Sequence, residues 1–255
     1  MTASRFVWYE LMTGDVPAAA TFYSAVVGWK AEDSGMPGMQ YTLLKVGDAQ
    51  VAGMMETPAE LKAMGAPAAW SGYVAVDNVD AAEAKAVQLG GKVLRPASDI
   101  PEVGRFAVVA DPQGASFMLF KPLRSDPPPM PAPGAAGTTG WHELRAADGA
   151  TVWKFYATLF GWTKGEAMDM GAGGVYQIFE IDGVPAGAVM TKEDDQPAPA
   201  WRFYFRVPDI DAAAAKVRSN GGKVTTEPMP VPGGDWILFG RDPQGALFAL
   251  MSGAK

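Results

Sequence analysis

The apolar residues of this chain change their spacing from one segment to the next. Residues 6–12 alternate between two faces as in a strand, and residues 17–27 carry apolar side chains three or four positions apart, as in a helix. Asp15 is placed to cap that helix and Gly28 to end it. Further strand patterns follow at 29–33, 40–46 and 49–55. This segment is therefore predicted to be a βαβββ unit.

The same order of elements returns directly afterwards. A strand pattern at 71–77 precedes a predicted helix at about 79–89, which Gly90-Gly91 ends. Strand patterns then follow at 92–97, 104–110 and 115–121. The first half of the chain is therefore predicted to contain two βαβββ units.

Five blocks of sequence recur in the same order in the second half of the chain. They are Trp8-Tyr9-Glu10-Leu11 with Trp141-His142-Glu143-Leu144, Phe22-Tyr23 and Gly28-Trp29 with Phe155-Tyr156 and Gly161-Trp162, 41–55 with 176–190, Gly90-Gly91-Lys92 with Gly221-Gly222-Lys223, and 111–114 with 242–245. A segment rich in proline and glycine separates the copies. We predict two domains, 1–123 and 140–255, joined by a linker at 124–139.

Composition excludes several classes of function. At 255 residues the chain has room for two domains, and 48% hydrophobic with 19% charged residues suits a compact protein. The net charge of −7, with no run of Lys or Arg, makes nucleic acids and anionic membranes unexpected partners. The chain has no cysteine, so a thiolate or disulfide is excluded. No apolar stretch approaches the ~20 residues of a membrane span, and we expect a cytoplasmic protein.

Taken together, the recurring motifs resemble those of a known superfamily. They are Asp15, Phe22-Tyr23, Gly28-Trp29, Val76-Asp77-Asn78-Val79-Asp80, Gly90-Gly91 and the Asp-Pro-Gln-Gly turns. The pattern is similar to that of the vicinal oxygen chelate fold of glyoxalase I, extradiol dioxygenases, fosfomycin-resistance proteins and bleomycin-binding proteins. The resemblance implies an α+β fold in which four βαβββ units form two tandem glyoxalase-like domains, with curved mixed sheets enclosing cavities. The Trp-x-Glu-Leu pattern is most similar to actinobacterial two-domain proteins described as glyoxalase-like or hydroxylase-like.

Metal-dependent members of this superfamily hold their metal at three positions in each domain. In this chain those positions are Trp8, Ser71 and Met118 in the first copy and Trp141, Arg202 and Ala249 in the second. None is an ordinary ligand for zinc, nickel or iron. The one histidine, His142, is expected on the face of its strand opposite Trp141. We therefore predict no metal, and no other cofactor because a glycine-rich nucleotide motif is missing.

Strand alternation places Trp8 and Glu10 on one face of the first strand and Trp141 and Glu143 on the matching face of the second copy. Neighbouring strands are expected to add Ser71, Tyr73, Ala75 and Met118 in the first domain and Arg202, Tyr204 and Arg206 in the second. Aromatic walls with a few polar groups are typical of a pocket for a planar or apolar organic molecule. The alternative is that the tryptophans only fill the core.

A carboxylate inside such a cavity needs a partner. In the second domain Arg202 is available to Glu143 and favours its ionised form. In the first domain Ser71 replaces that arginine, and Tyr73 is the expected hydrogen-bond donor to Glu10. We therefore predict Glu10, a general acid or base, and Tyr73 as catalytic residues. The predicted ligand-binding residues are Trp8, Ser71, Met118, Trp141, Glu143, Arg202 and Tyr204.

Two functions remain open at this point. One is a metal-independent, hydroxylase-like enzyme acting on a small aromatic or polyketide-like metabolite. The other is a protein of the bleomycin-resistance type that binds or sequesters a small molecule without turnover. A small-molecule ligand is the expected partner in both, and the tandem copies are expected to form a pseudo-dimer within a monomeric chain or a weak homodimer.

Overall fold

The computed structural model describes residues 4–36, 38–123, 129–193 and 198–255. The elements of the first copy are β1 (Phe6–Thr13), α1 (Val16–Val26), β2 (Lys30–Asp33), β3 (Tyr41–Val46), β4 (Ala49–Glu56), α2 (Ala59–Ala63), β5 (Ala69–Ala75), α3 (Val79–Gln88), β6 (Lys92–Ile100), β7 (Gly104–Ala110) and β8 (Ser116–Pro122). Those of the second copy are β9 (Thr139–Ala146), α4 (Gly149–Phe160), β10 (Thr163–Asp169), β11 (Val175–Ile181), β12 (Val184–Thr191), β13 (Ala200–Arg206), α5 (Ile210–Ser219), β14 (Lys223–Pro230), β15 (Trp236–Arg241) and β16 (Leu247–Ser252). The short helix α2 was not predicted.

These strands form two mixed sheets of eight strands each. Their strand orders correspond: β2-β3-β4-β1-β5-β8-β7-β6 and β10-β11-β12-β9-β13-β16-β15-β14. In each βαβββ unit the first strand pairs in parallel with the last, as β1 does with β4 and β5 with β8. The hairpins within each unit are antiparallel. The predicted α+β fold with four βαβββ units is confirmed.

Helices α1, α4 and α5 begin at a capping aspartate. Asp15 Oδ1 accepts a hydrogen bond from the Ala18 N–H at 2.9 Å, and Asp148 Oδ1 accepts one from the Ala150 N–H at 2.9 Å. Helix α4 ends at Gly161, whose φ of 74° lies in the left-handed region that glycine favours. The buried residues of α1 are Ala19, Phe22, Tyr23 and Val26, which is its predicted apolar face. None of the described helices is both long and apolar enough to cross a membrane.

The chain folds into two compact units, and each unit takes residues from both sequence copies. The described residues of unit 1 belong to Met1–Val7, Ser71–Asp126 and Trp141–Arg202. Those of unit 2 belong to Trp8–Trp70, Pro127–Gly140 and Phe203–Lys255. The predicted domain boundaries, 1–123 and 140–255, follow the sequence repeat and stay a prediction.

In unit 1 a buried Tyr-Asp pair joins α4 to the Asp-Pro-Gln-Gly turn of the first copy. The Tyr156 hydroxyl donates a hydrogen bond to Asp111 Oδ2 at 2.9 Å and accepts one from Trp201 Nε1 at 3.2 Å. Burial raises the pKa of Tyr156 well above its usual value and also raises the pKa of Asp111. Gln113 of the same turn accepts a hydrogen bond at 2.8 Å from the N–H of Asp148, the cap of α4.

Unit 2 contains the matching pair, with the copies exchanged. The Tyr23 hydroxyl donates to Asp242 Oδ2 at 3.1 Å and accepts from Trp70 Nε1 at 2.8 Å. A Cβ on Gly222 would overlap the ring of Phe22, so this glycine allows a close approach. The recurring Phe-Tyr, Gly-Gly and Asp-Pro-Gln-Gly motifs therefore pack one copy against the other within each unit.

The described part of the predicted linker belongs to unit 2 and packs against the rest of that unit. Residues 129–138 form no helix or strand, as their composition predicted. The Gly137 N–H donates to the Arg206 carbonyl at 2.8 Å, and its own carbonyl accepts a hydrogen bond from Trp29 Nε1 at 2.7 Å. These contacts hold this segment in place, so it is not a free spacer. Residues 124–128 of the predicted linker lie outside the described residues.

Candidate functional site

Trp8, Tyr41 and Glu10 form a hydrogen-bonded group in unit 2, which we call the first triad. Trp8 Nε1 donates to the Tyr41 hydroxyl at 2.9 Å, and that hydroxyl donates to Glu10 Oε2 at 2.9 Å. Glu10 is only 6% exposed, and Trp8 and Tyr41 are half-buried. Because a buried carboxylate is costly without donors, Tyr41 stabilises Glu10 at this position.

The first triad spans three neighbouring strands. Tyr41 lies on β3, whereas Trp8 and Glu10 lie on β1, and β4 runs between them. Gly53 of β4 is paired with Glu10 on one side and with Leu43 on the other. The phenol of Tyr41 therefore crosses β4 above a residue that has no side chain.

Trp141, Tyr176 and Glu143 form the second triad, which lies in unit 1. Trp141 Nε1 donates to the Tyr176 hydroxyl at 2.8 Å, and Tyr176 is hydrogen-bonded to Glu143. Burial and the nearby Glu143 carboxylate raise the pKa of Tyr176 well above its usual value. Glu143 is 2% exposed. The same three residue types thus hold a buried glutamate in both copies.

Two arginines approach the glutamate of the second triad. Arg145 Nε donates to Glu143 Oε1 at 2.6 Å, and a guanidinium nitrogen of Arg202 lies 3.7 Å from the same oxygen. Both guanidinium groups are nearly buried, with 10% of the Arg145 and 13% of the Arg202 side chain exposed. Arg202 was the predicted partner of Glu143, but the hydrogen bond at 2.6 Å comes from Arg145.

The corresponding positions of the first copy hold no arginine. By the repeat that aligns Glu10 with Glu143, Met12 stands where the second copy has Arg145, and Ser71 stands where it has Arg202. Met and Ser are neutral, whereas both arginines carry a fixed positive charge. The two copies therefore share the hydrogen bonds of the triad but have different residue types at these two positions.

The remaining predicted site residues are buried strand residues. In unit 1, Ser71 is 8% exposed, and Tyr73 and Met118 are directly paired between β5 and β8. In unit 2, Tyr204 is paired with Ala249 between β13 and β16. Tyr73 stays a prediction as a catalytic residue, and Ser71, Met118 and Tyr204 stay predictions as ligand-binding residues.

His142 is a packing residue on the face of β9 opposite Trp141 and Glu143. Its ring stacks on Phe6 with centroids 4.3 Å apart and an interplanar angle of 9°. The Nδ1–H donates to the Ala186 carbonyl at 2.6 Å, since a carbonyl oxygen can only accept. Burial lowers the pKa of His142 to about 4.

From the sequence we did not predict three residues of the two triads and their surroundings, namely Tyr41, Tyr176 and Arg145. Tyr41 and Tyr176 were visible as matching residues of the repeated blocks 41–55 and 176–190, but nothing in the sequence showed that they reach across a strand. Arg145 has the same strand parity as Glu143. Parity indicated a shared face, but only the folded side chain shows the contact.

The sequence model of the Glyoxalase/Bleomycin resistance protein/Dioxygenase superfamily matches residues 5–119 and 138–250. The chain belongs to this superfamily and carries its domain twice.

Two curated relatives match almost the whole chain. The protein named "Putative glyoxylase CFP32" from Mycobacterium tuberculosis is 33% identical over 253 residues, which is 97% of this chain and 94% of the relative. The anthracycline biosynthesis protein DauV from Streptomyces sp. (strain C5) is 31% identical over 257 residues, or 96% of this chain and 91% of the relative. Among solved structures, an extradiol ring-cleaving dioxygenase from B. fuscum superposes with a TM-score of 0.68 at 16% identity, covering 98% of this chain and 72% of that one. This last likeness shows the fold.

The residues at the superfamily's metal positions do not fit a metal in this chain. The indole nitrogens of Trp8 and Trp141 donate to tyrosines, and an indole has no lone pair for a metal. Met118 is an apolar core residue, and the Arg202 guanidinium is a cation. Among the described residues, no three His, Cys, Asp or Glu side chains come together as a metal site would require.

Proposed function

We propose that this protein is a metal-independent member of its superfamily that acts on a small, planar aromatic metabolite, with Glu10 of the first triad as general acid and base. The observation that carries the proposal is the hydrogen bond between the Tyr41 hydroxyl and the buried Glu10 carboxylate. A buried carboxylate that accepts a hydrogen bond from a neutral phenol is held in one orientation, as a group that takes up and returns a proton must be. The positions that supply arginines to the second triad hold Met12 and Ser71 in this copy.

The proposed step is a proton transfer at carbon. The Glu10 carboxylate removes a proton from a C–H group next to a carbonyl of the metabolite, and the electron pair moves onto the carbonyl oxygen as an enolate. The carboxylic acid then returns a proton to carbon. Tyr41 orients the carboxylate throughout, since its hydroxyl is held by Trp8 on the other side.

The aromatic ligand class is supported by the site and by a relative. The indole of Trp8 is a flat, half-buried surface beside the glutamate, and such rings favour planar ligands. DauV, a relative covered over 91% of its length, is named for anthracycline biosynthesis. We therefore propose an aromatic polyketide as the ligand.

The second triad favours a different role. Glu143 Oε1 accepts a hydrogen bond from Arg145 Nε at 2.6 Å, and a guanidinium nitrogen of Arg202 lies 3.7 Å from the same oxygen, so two cations engage this carboxylate. We propose that this copy binds a ligand without transferring a proton. If the first triad also proved unable to transfer a proton, the whole protein would be a binding or sequestration protein.

The test uses an anthracycline as the probe. Binding is followed by quenching of tryptophan fluorescence, and proton transfer is followed by mass spectrometry of the recovered probe after incubation in D₂O. We expect the wild-type protein and Glu143→Gln to bind the probe and introduce deuterium at carbon, and Glu10→Gln to bind it without exchange. Binding with no exchange in the wild type would favour the sequestration role, and the absence of binding would contradict the proposed ligand class.

A further inference from the structure

We propose that Gly53 is a positioning residue of the first triad, and that the difference between Gly53 and Ala188 gives the two copies binding surfaces of different depth. The difference in depth between the two binding surfaces rests on the proposed function, because it concerns the ligand. The positioning role of Gly53 concerns only Tyr41 and does not depend on the ligand.

Position 53 requires glycine because Tyr41 lies directly against it. Gly53 lies inside β4 and is not among the glycines with a positive φ, so its backbone conformation suits any residue. A Cβ on Gly53 would overlap the hydroxyl and the ring of Tyr41. Glycine inside a strand weakens the strand and often marks a close approach of another group. Here the approaching group is the phenol of the first triad.

The strand order explains why the phenol must pass over this position. Neighbouring strands lie about 4.8 Å apart, so Tyr41 on β3 reaches Glu10 on β1 only by lying across β4. Gly53 is the residue of β4 that is paired with Glu10. A side chain there would stand between the tyrosine and the glutamate.

The second copy contains the natural counterpart of this arrangement. Ala188 of β12 is paired with Glu143 on one side and with Ile178 on the other, as Gly53 is with Glu10 and Leu43. Tyr176 nevertheless accepts the hydrogen bond from Trp141 at 2.8 Å. Because Ala188 has the methyl group that Tyr41 could not tolerate, Tyr176 must lie farther from its middle strand than Tyr41 does.

This difference has a consequence for a ligand that rests on the tyrosine. Because Gly53 has no side chain, Tyr41 lies close to the sheet. On the side of its ring that faces away from the sheet, this leaves extra space of about the size of one methyl group. With Ala188, Tyr176 fills that space. We expect a planar ligand to bind more deeply at the first triad, and Gly53→Ala to weaken its binding about tenfold, which is the effect of about 1.4 kcal/mol.

The position of Tyr41 is tested in the full-length protein without ligand. Each of the eight tryptophans gives one indole N–H signal in a nitrogen-15 NMR spectrum, and Trp8→Phe and Trp141→Phe assign the two that matter. We expect Gly53→Ala to move the Trp8 signal, because its acceptor Tyr41 is displaced, and to leave the Trp141 signal in place. The matched variant Ala188→Gly should do the reverse.

The outcomes separate this inference from the proposed function. If folded Gly53→Ala leaves the Trp8 signal unchanged, the positioning role of Gly53 is wrong. If Gly53→Ala does not fold, Ala188→Gly decides, and an unchanged Trp141 signal there also overturns the inference. If both signals move as expected but the anthracycline probe does not bind the wild type, the positioning role stands and the proposed ligand is wrong. An unchanged affinity in Gly53→Ala would refute the difference in depth.

Discussion

Tyr23 donates a hydrogen bond to Asp242, a residue 219 positions further along the chain. Tyr156 and Asp111 form the same contact in the other unit. Each pair joins a helix of one sequence copy to a turn of the other, so neither copy completes its own core around these residues.

Tyr23→Phe removes a donor from a buried carboxylate while keeping the ring. Asp242 then retains the backbone N–H groups of Gln244 and Ala246. We expect a loss of about 1–3 kcal/mol in the free energy of unfolding, the usual effect of leaving a buried acceptor short of a donor. Urea denaturation of Tyr23→Phe, with Tyr156→Phe as the matched variant, measures it. Two variants as stable as the wild type would show that these hydrogen bonds contribute nothing net.

The same contacts predict how one copy behaves alone. A chain of residues 1–123 keeps Phe22 and Tyr23 but lacks the Phe248 and Asp242 that they contact. Its own turn, with Asp111 and Phe117, offers equivalent groups to a second molecule. We expect this fragment to self-associate and the full-length chain to sediment as a monomer. Analytical ultracentrifugation distinguishes the two, and a folded, monomeric fragment would contradict the prediction.

His142 gives a prediction about pH. Its pKa is lowered to about 4 in the folded protein from 6.5, so the unfolded chain binds more protons between these values. His142 therefore contributes fully to stability above pH 6.5, and this contribution declines as the pH falls toward 4. The raised pKa values of Asp111 and Asp242 act in the opposite sense, with stability declining as the pH rises above 3.8.

Because the histidine and the aspartates act in opposite directions, we compare the pH dependence of the unfolding free energy of the wild type with that of His142→Gln. The difference between the two is the contribution of His142. We expect the wild type to lose about 3 kcal/mol relative to His142→Gln between pH 6.5 and 4. His142 is the one histidine of the chain, so its ring protons can be titrated directly by NMR. A midpoint near 6.5 would show that the ring is not buried against Phe6.

Arg145→Met leaves the buried Glu143 without its hydrogen-bonded cation. We expect this variant to lose about 3 kcal/mol of unfolding free energy, whereas the double variant with Glu143→Gln should lose much less. Arg202→Met should have a smaller effect, since its guanidinium lies 3.7 Å from the carboxylate. A double-mutant cycle by chemical denaturation measures both couplings. A larger coupling to Arg202 than to Arg145 would contradict the observed geometry.

Metal content is the simplest measurement. In the first copy, the three positions that hold the metal in metal-dependent members of the superfamily are Trp8, Ser71 and Met118, and none of these is an ordinary ligand for zinc, nickel or iron. We expect elemental analysis of the purified protein to show no stoichiometric zinc, nickel, iron or manganese, and EDTA to leave the melting temperature unchanged. About one metal ion per domain would refute metal independence.

The sequence predicted most of the secondary structure and part of the site. The periodicity of residues 6–27 predicted β1 and α1 to within one or two residues, because local propensity and burial agree there. Alternation also placed Trp8 with Glu10 and Trp141 with Glu143, and each pair proves to share one tyrosine. The tyrosines themselves were missed because a contact across an intervening strand leaves no local periodicity.

By itself, then, the sequence determined the repeat, the order of the elements and the face on which each glutamate lies. Those properties follow from the spacing of neighbouring residues, since strand side chains alternate and helix side chains return every three to four positions. Only the tertiary structure decided that Tyr23 would meet Asp242 and that Tyr41 would cross Gly53 to reach Glu10. These contacts join residues that are far apart in the chain. They depend on the order of the strands in each sheet and on the packing of the two sequence copies within each unit, and the spacing of neighbouring residues encodes neither.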